Sequence, residues 1–257
     1  MASRVRWTEA ETRRALYLYF QMPFGQIHSK NPEIAALAEG IGRTPSSVAM
    51  KLANFASLDP AITRSGRKGL EGASALDRTI WAEFNRDWTG SILVASGLEE
   101  VSEQPVPQTV HEERAVFAYD TPAGATTARV EIEQRVGQSF FRRAVMANFG
   151  NACCVTGIAD PRLLNASHIA PWKSDVANRH NPRNGLCLSA TFDRAFDRYL
   201  MTVTPDLEMR ISNQLLHSAS EATRSYFEPY HGRLLREATH LAPDPALLRR
   251  HNAQFLA

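Results

Sequence analysis

Apolar residues recur at helical spacing through the first third of the chain. Thr8 and Glu11 form a capping-box pattern at the start of a helix over 10–20. Asn31 and Pro32 open a second helix, with proline at the tolerated first position and Ile34, Leu37 and Ala38 on one face; Gly40 and Gly42 break it. Thr44 and Pro45 cap a third, in which Val48, Leu52 and Phe55 share a face. Ser74 begins another that runs through Trp81, Phe84 and Trp88. The pattern lapses between about 95 and 128, where turn formers crowd 102–108 and 121–127, so a linker with a short strand near 115–119 is expected. Helical spacing resumes over 130–149, with Val136, Phe140, Ala144 or Val145, and Phe149 inward and Gly150 as the stop. Residues 200–204 and 207–211, joined through Pro205 and Asp206, read as a β-hairpin. Helices around 220–227 and over 244–255 close the chain.

At 257 residues there is room for two ordinary domains, and 44% hydrophobic with 22% charged residues fits a soluble globular protein. No apolar run approaches the ~20 residues of a membrane span. The first residues lack the apolar core of a signal peptide, so a cytoplasmic location and no membrane partner are expected. Cys153, Cys154 and Cys187 are too few, and two of them too close, for a disulfide framework; buried reduced thiols are expected. A net charge of +2 by itself argues for no partner. The distribution says more: Arg135, Arg142, Arg143, Arg162, Arg179, Arg183, Arg194 and Arg198 cluster in the second half, and the arginine fork suits phosphate.

The second and third helices, joined by a glycine turn, have the outline of a helix-turn-helix. With Val48, Leu52 and Phe55 inward, Ser46, Ser47, Met50, Lys51 and Asn54 are expected to face outward. Small hydroxyls, an amide and a lysine suit an approach to a DNA groove and its phosphates. The stretch Arg64 to Gly69 adds a basic loop. Trp7, Tyr17, Tyr19 and Phe24 are aromatics better suited to a core than to a base pocket.

The densest chemistry lies later. Asn165-Ala-Ser-His-Ile-Ala-Pro-Trp172 is followed by Asn181-Pro-Arg-Asn-Gly-Leu-Cys-Leu188 and by Phe192-Asp-Arg-Ala-Phe-Asp-Arg198. This segment resembles HNH nucleases of the ββα-metal type, in the subgroup with SHIxPW, NPxNGLxL and DxxFD motifs. The likeness covers residues 129–215 strongly. Residues 7–90 resemble, more loosely, the helical domain joined to such modules in restriction-like proteins. The resemblance implies an α+β chain: a helical DNA-recognition domain over 1–92, helix-turn-helix or winged-helix-like, a linker over 93–128, and an HNH nuclease domain over 129–257. The paired Cys-x-x-Cys of zinc-binding relatives is absent, since Gly157 and Ala190 stand where the second cysteines would be, so no structural zinc is expected.

Phosphodiester hydrolysis needs an activated water and a stabilised phosphate and leaving oxygen. The resemblance makes His168 the general base, an imidazole that titrates near neutrality, and Asn184 the scaffold that holds its loop. The helical histidine that helps bind metal in the family is missing. Asp193 stands at its place, with Asp197 one turn on so that both carboxylates share a face, and Ser167 stands where relatives carry a stronger ligand. Oxygen ligands suit Mg²⁺ or Mn²⁺. Arg194 and Arg198 are candidates to clamp phosphates, and Trp172 to pack the loop beneath the base. The expected function is a metal-dependent, restriction-type DNA endonuclease acting on double-stranded DNA, base-modified DNA included, as a homodimer. The alternative is a decayed HNH protein that binds DNA as a regulator or modified-base reader.

Overall fold

The computed structural model of the protein describes residues 6–98 and 125–255, apart from 65, 67 and 68; of 125–128 it describes the backbone alone. The strand expected at 115–119, and part of the basic loop at 64–69, lie outside the described residues.

The first helix, α1 (Glu9–Phe20), starts on the full Thr8–Glu11 capping box. The next, α2 (Pro32–Gly40), starts on Asn31, whose side chain accepts from the Glu33 and Ile34 amides. The turn after it depends on Gly42 at φ 66°, a left-handed conformation glycine adopts at no steric cost. Thr44 then caps α3 (Pro45–Ala56) by accepting from the Ser47 amide. Val48, Leu52 and Phe55 are fully buried, each contributing about 1.5–3 kcal/mol by leaving water. Thus α2, turn and α3 form the expected pair. Among the described residues of 6–98 there is no strand, so the winged variant of that expectation has nothing to form a wing.

After the short α4 (Pro60–Arg64), α5 (Ala75–Arg86) starts on a Ser74–Asp77 capping box. The helix expected to continue through Trp88 stops at Asp87, which turns extended and caps α6 (Trp88–Ser96) by accepting from the Gly90 amide. Both helices keep the same apolar phase, so Phe84 and Trp88 still meet, packing with Phe20 in one aromatic cluster.

Helix α7 (Ala125–Asn148) begins five residues before the expected start and is covered on two sides. Phe140 and Ala144 belong to the core of α1–α6, whereas Phe141, Val145 and Met146 belong to the second core. The helix ends where Gly150 and Asn151 take positive φ, 63° and 57°.

The second core holds an antiparallel pair, β1 (Leu164–His168) and β2 (Gly185–Ser189), followed by α8 (Ala190–Asp197). Strand alternation divides their side chains. Phe141 of α7 meets His168, whose cross-strand partner is Gly185, and Met146 of α7 meets Cys187, the partner of Ala166. Asn165 points to Asp193 on α8, on the opposite side. Gly185 permits the close approach of α7: a Cβ there would lie 2.2 Å from Val145 Cγ2. The hairpin follows as β3 (Met201–Val203) and β4 (Met209–Ile211), with Leu207 at φ 65° in its turn. Helices α9 (Asn213–Leu216), α10 (Glu221–Phe227) and α11 (Pro245–Asn252) complete the fold.

Between α10 and α11 the chain runs back across the first core. Asn148, at the end of α7, holds this strap by accepting from the His240 amide and donating to the Leu241 carbonyl. The buried His240 ring places Nε2 2.6 Å from the Met22 carbonyl and Nδ1 3.2 Å from the Tyr19 hydroxyl, which donates to Asp59. Tyr19 is thus core, as its sequence context implied.

Candidate active site

His168 ends β1 and its ring stacks on Phe141, with centroids 3.8 Å apart and planes 8° from parallel. The Trp172 ring meets it edge-on at 5.5 Å. Its Nε2 lies 3.0 Å from the Arg179 carbonyl. A carbonyl only accepts, so Nε2 carries the proton and Nδ1 keeps its lone pair. Among the described residues no hydrogen bond reaches Nδ1. Burial holds the ring's pKa below the usual histidine value, opposed by the bond to Arg179 and by the negative charge of Asp193. The imidazole is therefore neutral at neutral pH, the form a base needs.

Asn184 is fully buried at the head of β2. Its Oδ1 accepts from the Ala170 amide at 2.7 Å; its Nδ2 donates to the carbonyls of Ala170 and Asn178, at 3.2 and 3.1 Å. One side chain thus ties both ends of the loop that follows His168. Arg179 donates from Nε to the Trp172 carbonyl at 3.2 Å, and its guanidinium lies 4.7 Å from the Trp172 ring centroid.

Asp193 and Asp197 lie one turn apart on α8. Asn165 Nδ2 donates to Asp193 Oδ2 at 2.7 Å. Crowding around its carboxyl, then the charge of Asp193, pushes Asp197 up to about 6 even though the residue keeps an exposed surface. The mutual repulsion of two carboxylates is what a bound cation relieves, and their oxygen donors fit a hard divalent ion. Ser167, on the same strand face as Asn165, is only 3% exposed, and its Oγ is buried with no hydrogen-bond partner among the described residues. Among the described residues no third histidine, cysteine or acid joins the two aspartates to make a closed cation site.

The arginines divide. Arg143 pairs with Glu33, Arg162 with Asp160, and Arg142 and Arg183 donate to backbone carbonyls. Arg194 and Arg198 are exposed and border an open groove of about 450 Å³ floored by Ala195, Leu200, Leu215 and Phe227. They leave a positive edge beside the aspartates on the same helix.

On α3 the structure corrects one expectation. Lys51 does not face outward: it is 6% exposed and its Nζ lies 2.6 Å from Asp77 Oδ1. It stands three residues after Val48 and four before Phe55, so the helical period turns it to the buried edge. The Asp77 carboxylate that receives it also closes the capping box of α5. Ser46 and Met50 are exposed, while Ser47 is half-buried and Asn54 lies half-buried against Gly72. The outward surface of this helix is therefore smaller and less basic than its sequence suggested.

Asn165 escaped the sequence reading although it opens the motif. Its signal was alternation: two residues before Ser167, it takes the strand face toward α8. Phe141 carried no chemical signal, because stacking on a histidine across 27 positions is a tertiary fact.

The three cysteines are free and buried. Cys153 Sγ accepts from the Ser189 and Thr156 amides at 3.2 and 3.4 Å. These contacts hold its thiol below the usual cysteine range against the opposing effect of burial.

No curated protein matches the chain. Residues 153–204 match the family model described as HNH endonuclease. The match supports nuclease activity on DNA, and the matched segment includes His168, Asn184, Asp193 and Asp197.

Proposed function

We propose that the protein is a restriction-type DNA endonuclease in which His168 is the general base. The observation that carries this reading is the tautomer. The Arg179 carbonyl fixes the proton on Nε2 and leaves Nδ1 free to take a proton from water. Phe141 and Trp172 hold the ring plane, and Asn184 holds the loop from which that carbonyl projects. The hydroxide formed attacks phosphorus, and departure of the 3′ oxygen leaves a 5′-phosphate end. Asp193, with Asp197, would hold a Mg²⁺ or Mn²⁺ ion, which when bound neutralises charge on the phosphate and leaving oxygen. Arg194 and Arg198 bind flanking phosphates. Ser46 and Met50, with Ser47 and Asn54 at the margins, form the reading surface of α3. Double-stranded DNA is the substrate, and one site per chain makes a homodimer the economical way to cut both strands. No helix among the described residues is long and apolar enough to cross a membrane.

The test is cleavage of plasmid DNA and of base-modified phage DNA with Mg²⁺ or Mn²⁺, comparing wild type with His168→Ala. Loss of nicking in the variant is expected, and equal nicking by both proteins sinks the mechanism. If Asp193→Ala still binds metal and cuts normally, the ligand assignment fails. A second reading, DNA binding without cleavage, is favoured by one observation: no third ligand accompanies the two aspartates among the described residues. Metal-independent binding with no cleavage on any substrate would establish it.

A further inference from the structure

His180 is 5% exposed, although it lies in the loop between β1 and β2. Its ring rests on α7 at Gly137, where a Cβ would come within 2.2 Å of Nε2 and 2.5 Å of Cε1. Glycine is a poor residue for a helix interior, and at this position it makes room for the ring. Nδ1 is hydrogen-bonded across 3.0 Å to the hydroxyl of Thr89, on α6 of the N-terminal core. The Trp172 ring meets it edge-on at 5.1 Å. Three elements thus clamp the imidazole: α6, α7 and the loop itself. Burial, then the charges of Arg179 and His168, lowers its pKa to about 4, so the wedge is uncharged at neutral pH. Among the described residues Nε2 is buried with no hydrogen-bond partner, so there Thr89 makes the one hydrogen bond that fixes the ring.

The residue before His180 supplies the carbonyl that accepts the His168 Nε2 proton. One peptide bond thus joins that carbonyl to the residue whose ring is seated between α6 and α7. We propose that His180 is a positioning residue for His168, and that Thr89 makes the N-terminal domain part of the support of the catalytic base. The functional part of this rests on the reading of His168 as the base. Its consequence is that the domain expected to read DNA also sets the tautomer of the residue that cuts it.

Thr89→Val keeps the shape of the side chain and removes the hydroxyl; Thr89→Ser restores it. Gly137→Ala pushes the ring from the other side. Ring-nitrogen NMR shifts of His168, in full-length protein without metal or DNA, report its tautomer independently of cleavage. The expected result is a single Nε2-protonated form in wild type and Thr89→Ser, and a mixture in Thr89→Val and Gly137→Ala. In nicking assays kcat falls with KM for DNA unchanged, several-fold for Thr89→Val and up to about 100-fold for Gly137→Ala, the scale of a misplaced catalytic group. An unchanged His168 signature in both variants overturns the proposal, as does a lowered kcat that Thr89→Ser fails to restore. A changed signature supports the positioning even if His168→Ala still cuts DNA, in which case the assignment of the base is what fails.

Discussion

Replacing Asn184 by alanine removes three hydrogen bonds at once and leaves the Ala170 amide, the Ala170 carbonyl and the Asn178 carbonyl without that partner. Ala170 is 3% exposed, so water cannot replace the lost contacts there, whereas Asn178 is half-buried and regains part of its solvation. Two orphaned groups therefore dominate, and at about 1–3 kcal/mol each the loss is roughly 2–6 kcal/mol. For a chain of this size, at about 2–4 °C per kcal/mol, the thermal midpoint drops by roughly 4–24 °C. Asn184→Asp is the sharper probe. It keeps the acceptor for the Ala170 amide but sets a carboxylate oxygen against two carbonyls. Ionisation is then disfavoured in the folded state, so the pKa of the new acid rises above its unfolded value. Its penalty is small at low pH, where the protonated acid still donates, and grows as pH climbs past the unfolded carboxylate range. Thermal unfolding of wild type and both variants at pH 4.5 and 7.5, followed by circular dichroism, measures these effects. Both variants also lose cleavage, because the loop they release carries the Arg179 carbonyl. An Asn184→Ala midpoint within a few degrees of wild type, or an Asn184→Asp deficit that is the same at both pH values, refutes the reasoning.

Lys51→Met leaves Asp77 charged and buried and is expected to cost about 3–5 kcal/mol, read as a lower denaturant midpoint. Met50→Glu, on the exposed part of α3, is expected to weaken DNA binding in a salt-titrated assay with the unfolding midpoint unchanged; the reverse pattern would return Lys51 to the surface. Asp197 has a folded pKa raised to about 6, so its ionisation costs stability as pH rises from about 4 through 6. Asp197→Asn should therefore be more stable than wild type above pH 6, with the difference vanishing below pH 4. Parallel curves of midpoint against pH would show that the Asp197 carboxyl is not held above the usual carboxylate range.

Most helix starts were legible because they are written locally. Thr8, Asn31, Thr44 and Ser74 each cap the helix they precede, and a cap needs only three following residues to be read. The break at Asp87 was equally local, an N-cap signal ahead of Gly90. It was hidden by Trp81, Phe84 and Trp88, whose spacing holds one apolar phase across both helices. The two-sided burial of α7 was present in the pairs Phe140–Phe141 and Ala144–Val145. An amphipathic helix spends one residue of such a pair on its core, and here each pair sends one residue to either core. Lys51 was misplaced because residue type outweighed period. The contacts that join the halves had no local signal: Thr89 and His180 are separated by 91 positions, and the His240 strap reaches Tyr19 across 221.

Asp193 stands where the HNH nucleases that the segment resembles carry a helical histidine, and the group behind it has to suit a carboxylate. Behind a metal-binding histidine the supporting group is an acceptor, since the ring's other nitrogen carries a proton. Behind a carboxylate it has to be a donor. Asn165 supplies a donor, its amide 2.7 Å from Asp193 Oδ2, and the assignment of that nitrogen is forced because an ionised carboxylate only accepts. Asp193 Oδ1 makes no hydrogen bond among the described residues and remains available. The strand residue and the helix residue thus form a hydrogen-bonded pair that fixes one oxygen of the Asp193 carboxylate and leaves the other open.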